Sequence, residues 1–328
     1  MTHIIAIDDG KAGHKSQING VVSYLNDYKT TFFGFKKSIF NYGPFLLYKL
    51  FATFRLLQEL YDADDSFIIV SVGKRTLYQS LYIKNLLINA GKNVKLVYLM
   101  PPTLQNKYLK HIDLIFYHSY KFNKIFLNNS KFFPIDMAPH SLNIDKYEVS
   151  EEFKKFKKSG YAVLIGGDAK SIKFSKKSVD SLLSLLIKIN KVNDNQAKFL
   201  ISTSARTPNN IGLYLKQSLE KSLLTYKLFL YNQNIYNNPY KQIVACCDNI
   251  LVSGESVSMI SECCSLLYKN IYIFFNKDFY AKRYTLFHKM LYKNNYANSC
   301  EDIFTSITPQ NKINITKEVA FKIKSFIT

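Results

Sequence analysis

The feature that most constrains this chain is a series of short segments that are apolar almost throughout, each followed by a helical pattern. "HIIAI" (3–7), "SFIIVSVG" (66–73), "VKLVYLM" (94–100) and "IDLIFY" (112–117) lack the polar–apolar alternation of a half-exposed strand. A strand that is apolar on both faces has to be covered on both faces, which is the condition of a parallel sheet between two helical layers. "SQINGVVSYLNDY" and "RTLYQSLYIKNLLINAG" supply two of the helices, the second closed by Gly91. The double proline Pro101–Pro102 closes the third strand.

The pattern restarts after the charged segment "EVSEEFKKFKKSG" (148–160). Strands are expected at 161–165 and in "KFLISTSART", "YKLFLY", "NILVSGE" and "NIYIFF". Helices are expected in "SVDSLLSLLIKINKV", "NIGLYLKQSLEKSLL", "YKQIVACCD" and "VSMISECCSLL". The fold class read from this order is α/β, with two Rossmann-like parallel-sheet domains over residues 1–150 and 151–328 that face each other across a cleft. The C-terminal helix is expected to pack back on the first domain. Open parallel sheets bind ligands at the carboxyl ends of their strands, so the loops there are where chemistry is sought.

Composition narrows the partners. The formal net charge is +20, which suits an anionic partner: a phosphorylated substrate, an anionic membrane surface or nucleic acid. The lysines are scattered, and no helix-turn-helix, RRM signature or paired zinc ligands occur, so nucleic acid is not expected. Abundant Lys, Asn, Ile, Tyr and Phe with no Trp also fit drift in an AT-rich genome, and both explanations of the charge stay open. No run of 18 apolar residues and no basic leader segment are present, so the chain is read as cytoplasmic, with a peripheral place at the inner membrane face allowed. The five cysteines (Cys246, Cys247, Cys263, Cys264, Cys300) have neither zinc spacing nor a disulfide framework, and are read as buried, reduced thiols.

Three loops follow three strands of the second series: "GGDAKS" (166–171), "STSARTP" (202–208) and "SGESVSM" (253–259). They offer small residues, hydroxyls and backbone N–H groups on one edge of the sheet: Gly166, Gly167 and Asp168; Ser204, Arg206 and Thr207; Gly254, Glu255, Ser256, Ser258 and Met259. The third leads straight into a helix, whose N-terminus can take a phosphate, with Ser256 or Ser258 as cap. Arg206 brings a fixed positive charge suited to a diphosphate, and Glu262 a carboxylate for ribose hydroxyls. In the first series, "DDGKAGH" (8–14) follows the opening strand. Gly10 and Gly13 allow close approach of backbone to a ligand. His14 is the candidate base, with Asp9 or Lys11 orienting it. The competing reading of these loops is ordinary turns and helix caps.

Residues 33–65 are crowded with aromatic and basic side chains. Leu46, Leu47, Leu50, Phe54, Leu57 and Tyr61 fall on one helical face. This is either a core-packed helix or a surface that meets lipid headgroups through Lys36, Lys37, Lys49 and Arg55.

"DGKAGHKSQ", "LIGGDAKS", "TSARTPNN", "NPYKQIVACCDNILVSGESVSMISECC" and "RYTLFHKML" together resemble the elongated-mitochondria family of plant mitochondrial-fission proteins and bacterial relatives, over nearly the whole chain and in order. The opening loop also resembles that of the lipid-linked GlcNAc transferase of peptidoglycan synthesis. Relatives often read "DSVSM" where this chain has Glu255–Met259, which keeps the acid, and "SRRTP" where it has Ser204–Pro208, which loses an arginine. The resemblance implies a GT-B-like fold, and with the loops above the reading is a glycosyltransferase that needs no metal, since the helix N-terminus and Arg206 can stabilise the leaving phosphate. Its co-substrate would be a nucleotide sugar held by the second domain, with no other cofactor. Its acceptor, on the first domain, would be membrane-linked. A nucleotide-sugar epimerase and a non-enzymatic, membrane-associated interaction protein of the fission type are the alternatives.

Overall fold

The computed structural model describes residues 2–34, 64–100, 106–121, 129–144, 147–157, 160–169, 172–233, 239–274, 282–304 and 310–327. The helical stripe at 46–61, its basic residues and Pro101–Pro102 lie outside them. Contacts divide the chain into two compact units, 1–141 with 315–328, and 142–314. The charged segment at 148–160 therefore begins inside the second unit, where Glu151–Lys154 forms a helical turn.

The first unit is built on a six-stranded sheet in the order β2-β1-β3-β4-β5-β6. Its strands are β1 (Thr2–Asp8), β2 (Lys29–Gly34), β3 (Ser66–Val72), β4 (Asn93–Leu99), β5 (Leu114–His118) and β6 (Phe132–Ile135). Every pairing is parallel. One face carries Ile5, Ile7, Phe67, Ile69, Leu96 and Tyr98, packed on Leu77, Ile83 and Leu87 of the helix Leu77–Asn89. The intervening Ile4, Ala6, Ile68, Val70 and Val97 are equally buried, so the continuous apolar runs do mark a sheet covered on both faces. Gly91, at φ 76, ends the helix Leu77–Asn89 in the left-handed conformation, and its N–H reaches Ile88 O at 2.9 Å.

The second unit repeats the plan with the order β12-β11-β10-β7-β8-β9. Here the strands are β7 (Gly160–Gly167), β8 (Lys198–Arg206), β9 (Thr225–Phe229), β10 (Asn249–Ser253), β11 (Asn270–Phe274) and β12 (Asn298–Ser299), again all parallel. Val163, Ile165, Phe199 and Ile201 pack on Leu182, Leu186 and Ile189 of the helix Lys176–Val192. That helix opens with a capping box between Ser175 and Ser178. Cys246, Cys247, Cys263 and Cys264 are free and buried, and Cys300 is free and partly buried.

The structure corrects the sequence reading at three places. β2, β6 and the two-residue β12 are strands where none was expected. All three are edge strands, and Pro134 is tolerated in β6 because one side of an edge strand has no partner to bond. Most of "STSARTP" is not a loop, since β8 runs on to Arg206 with a register shift opposite Gly167. The first helix spans Ala12–Ser23, so Gly13 and His14 belong to its first turn and not to a loop.

The helix Ile315–Ile327 belongs to the first unit. Thr316 Oγ1 donates to His140 O at 3.1 Å and accepts from His140 N–H at 2.9 Å. The same carbonyl lies against Gly20 of the helix Ala12–Ser23, where an added Cβ would collide with it. Gly20→Ala is thus expected to lower stability by about 1–3 kcal/mol, the usual cost of overpacking. Gly91→Ala meets open space and carries only the left-handed backbone penalty of about 1–2 kcal/mol. Urea denaturation of both variants checks the pair. Equal stability of Gly20→Ala and the parent chain would contradict the packing.

Candidate functional site

Strand order fixes where a parallel sheet opens. In the first unit β1 lies between β2 and β3, and in the second β7 lies between β8 and β10. At β1/β3 and at β7/β10 the strand order reverses, and a crevice forms at the carboxyl ends. Each crevice holds one group of the residues singled out in the sequence.

At the β1/β3 end, Gly10 takes φ 77 and its N–H donates to Asp8 Oδ1 at 2.7 Å. This turn buries the Asp9 side chain completely, 2.6 Å from His14 Nδ1, with Lys11 Nζ 3.3 Å from its second oxygen. Burial alone would raise the Asp9 carboxyl, but the hydrogen bond and charge of His14, with Lys11, hold it below its usual value. An ionised carboxylate only accepts, so His14 Nδ1 is the donor of this bond. The imidazole is a quarter exposed. Gly73, at the end of β3, closes the back of the pair: a Cβ there would lie 2.7 Å from both Asp9 Oδ2 and His14 Nδ1. Its φ of 94 also favours glycine.

Sequence reasoning missed Gly73 and the buried hydroxyls behind it. Gly73 O accepts from Tyr98 OH and, at 2.7 Å, from Thr76 Oγ1. Ser71 Oγ donates to Thr76 Oγ1 at 2.8 Å. Burial pushes the Tyr98 phenol up to about 12, with the Asp9 charge adding to it. The signal was present in "SVGKRT": a glycine directly after an apolar strand, with serine and threonine flanking it.

At the β7/β10 end, Gly166 and Gly167 lie against two other loops. Gly166 N–H donates to Ser253 Oγ at 2.7 Å. Gly167 N–H donates to Glu255 Oε1 at 2.8 Å, and Ser253 Oγ–H to the same oxygen at 2.8 Å. A Cβ on Gly166 would sit 2.7 Å from Arg206 Nη2 and would overlap Glu255 Oε1. Glu255 is 2% exposed; burial raises its carboxyl, while its hydrogen bonds and Arg206 act in the other direction. The exposed Arg206 side chain donates from Nη1 to Asp168 O at 2.9 Å. Asp168 itself pairs with Lys173 at 2.7 Å.

Several of the polar residues are spent on the frame. Ser204 Oγ donates to Gly166 O. Thr207 Oγ1 closes the turn by accepting from Ser204 N–H at 3.2 Å. Gly254 gives its N–H to Phe274 O at 2.8 Å, and its carbonyl accepts from His288 Nε2 at 2.8 Å. Burial lowers His288 to about 4, so it is the neutral donor tautomer that does this. Ser256 holds the N-cap position of the helix Val257–Cys264, but its side chain makes no capping bond and Ser258 makes none for it. Among the described residues the N–H groups of Val257, Ser258 and Met259 meet no acceptor. The N-terminus of the helix Ala12–Ser23 is likewise without a side-chain cap. Glu262 lies two turns into its helix and accepts from Tyr240 OH at 2.6 Å. Among the described residues no three His, Cys, Asp or Glu side chains converge as a metal site.

A family model described as mitochondrial fission ELM1 matches residues 12–327. The chain belongs to that family. A relative from Rickettsia prowazekii, the uncharacterized protein RP120, is 28% identical over 98% of each chain. Two solved structures share the fold at low identity. MurG from Acinetobacter baumannii superposes with a TM-score of 0.51 at 10% identity, covering 100% of this chain and 90% of that one. The UDP-GlcNAc 2-epimerase of Methanocaldococcus jannaschii, solved with UDP-GlcNAc and UDP, gives 0.54 at 11%, covering 99% and 100%. This ELM1-family chain thus has the GT-B-like α/β fold class, two Rossmann-like parallel-sheet units.

Because its carboxyl is depressed in the folded state, Asp9 adds stability that is present above the unfolded carboxylate value, near pH 4, and lost as pH falls through the lower folded value. Asp9→Asn is expected to melt below the parent at pH 7, with the gap closing below about pH 4. Thermal melts across pH 3–7 measure this. A gap that stays constant to pH 3 would show that the ion pair contributes nothing.

Proposed function

We propose that this protein is a glycosyltransferase that takes a nucleotide-diphosphate sugar without a metal ion. The observation that carries the reading is the β7/β10 crevice. There an uncapped helix N-terminus, Arg206 and two glycines without room for a side chain meet at a topological switch point. Such a place takes a diphosphate through free N–H groups, the helix dipole and a guanidinium. The epimerase that shares the fold was solved with UDP-GlcNAc and UDP, which supports a nucleotide sugar as the ligand class. Glu262 is assigned to the ribose.

The β1/β3 crevice is assigned the base. Asp9 fixes the tautomer, and His14 Nε2 takes the proton of the acceptor hydroxyl. The acceptor oxygen bonds to the anomeric carbon. The bond from that carbon to the donor phosphate breaks, and its electron pair leaves on the diphosphate. Arg206 and the helix N-terminus stabilise that charge as it develops. The uncapped helix at Ala12 and the exposed Lys11 suit an acceptor that carries phosphate, such as a lipid-linked one.

Calorimetric titration with UDP-, GDP- and CMP-sugars is expected to show binding of at least one. Arg206→Ala is expected to weaken it about 10- to 100-fold, the worth of a charged hydrogen bond. With the donor known, His14→Ala should retain donor affinity and lose about 100- to 10,000-fold in turnover. Absence of nucleotide binding at millimolar concentration would sink the reading in favour of a non-enzymatic interaction protein. Inversion of the sugar without transfer would make the protein an epimerase.

A membrane-borne acceptor calls for surface attraction. The net charge is +20, and the helix Ile315–Ile327 exposes Phe321 with the Lys317 ammonium 5.5 Å from its ring centroid. Anionic vesicles should retain the protein at low salt and release it as screening rises. Equal retention by neutral vesicles would exclude the electrostatic part.

A further inference from the structure

We infer that the β7/β10 crevice binds its anionic ligand together with one proton, and that Glu255 is the group that takes it. The inference rests on the reading of that crevice as a nucleotide-diphosphate site. Glu255 lies one residue before the N-cap Ser256 of the helix Val257–Cys264, so a phosphate at the helix N-terminus lies beside it. Its Oε1 already accepts from Gly167 N–H and Ser253 Oγ–H, whereas Oε2 is buried without a hydrogen-bond partner. A proton added to this carboxyl therefore goes to Oε2.

Arg206, which reaches over Gly166 from the end of β8, is near enough to favour the charged form of Glu255, though it makes no ion pair with it among the described residues. A diphosphate draws the guanidinium to itself. The buried carboxylate then faces new negative charge with its counter-charge shared, in a place that water does not reach. Such a group gains a proton rather than remain charged.

The other titratable groups nearby do not take over this role. Asp168, after β7, is held by Lys173 and by Phe174 N–H at 2.9 Å. His288, on the helix Lys282–Lys293, is neutral and engaged with Gly254 O. Glu262 is held by Tyr240.

The test is calorimetry of UDP and GDP binding to the full chain between pH 7 and 8, in buffers of different ionisation enthalpy. The wild-type protein is expected to take up close to one proton per nucleotide, with affinity falling about tenfold per pH unit, as single-proton linkage requires. Glu255→Gln carries a neutral group of the same shape. It is expected to take up one proton fewer per nucleotide than the wild type and to show a correspondingly smaller pH slope, and the difference removes the nucleotide's own titration from the comparison. Nucleotide binding to the wild-type protein without proton uptake overturns the inference whether or not the variant folds, and leaves the donor site standing. Failure of UDP, GDP and inorganic pyrophosphate alike to bind overturns the donor-site reading as well.

Discussion

Parallel pairing of every strand is the constraint from which the rest of this structure follows. A parallel strand cannot return by a tight turn, so each is followed by a crossover that carries the chain back along a face of the sheet. All carboxyl ends of a sheet then open on one edge. Wherever successive crossovers leave to opposite faces, two loops part. The sequence places its polar, glycine-rich segments at those partings, Asp9–His14 with Gly73 in one unit and Gly166–Gly167 with Ser253–Glu255 in the other. The candidate sites are thus located by topology, and the side chains only have to fill a place that the sheets already provide.

Within each crevice a buried carboxylate organises the neighbours, and the two differ in what balances the charge. Asp9 has a histidine and a lysine at bonding distance and is kept ionised. Glu255 has backbone N–H, a hydroxyl and a more distant guanidinium, and burial lifts it. The same residue class is therefore a fixed counter-charge in one unit and a proton-accepting group in the other. Desolvation and hydrogen bonding compete in both, and the nearness of a full positive charge decides the outcome.

The fold was legible where burial on both faces leaves a run of apolar letters. β1, β3, β4, β7, β10 and β11 are interior strands and were read directly. β2 and β6 escaped because neither carries a long apolar run. "KTTFFG" and "FFPI" lack the run, and the proline argues against a strand unless its edge place is known. Candidate site residues were legible as loop chemistry at strand ends. Their division of labour was not, because it depends on partners remote in sequence. Ser204 and Thr207 look like ligand hydroxyls and serve as braces. Gly73, Tyr98 and His288 look like ordinary residues and support the crevices from behind. Arg206 reads as a loop residue but is the last residue of a strand, since the sheet continues past the apolar stretch that reveals it.

The return of the helix Ile315–Ile327 to the first unit makes the second unit an insertion within it. During synthesis the first sheet can assemble early, but the helix that joins Thr316 to His140 emerges only after residues 142–314. Between those events the helix Ala12–Ser23 lacks one of its packing neighbours while the whole of residues 142–314 is made and folded. The first unit is thus begun before the second and completed after it. Truncation near the C-terminus would accordingly strip the sheet that carries His14 and leave the unit that carries Arg206 whole.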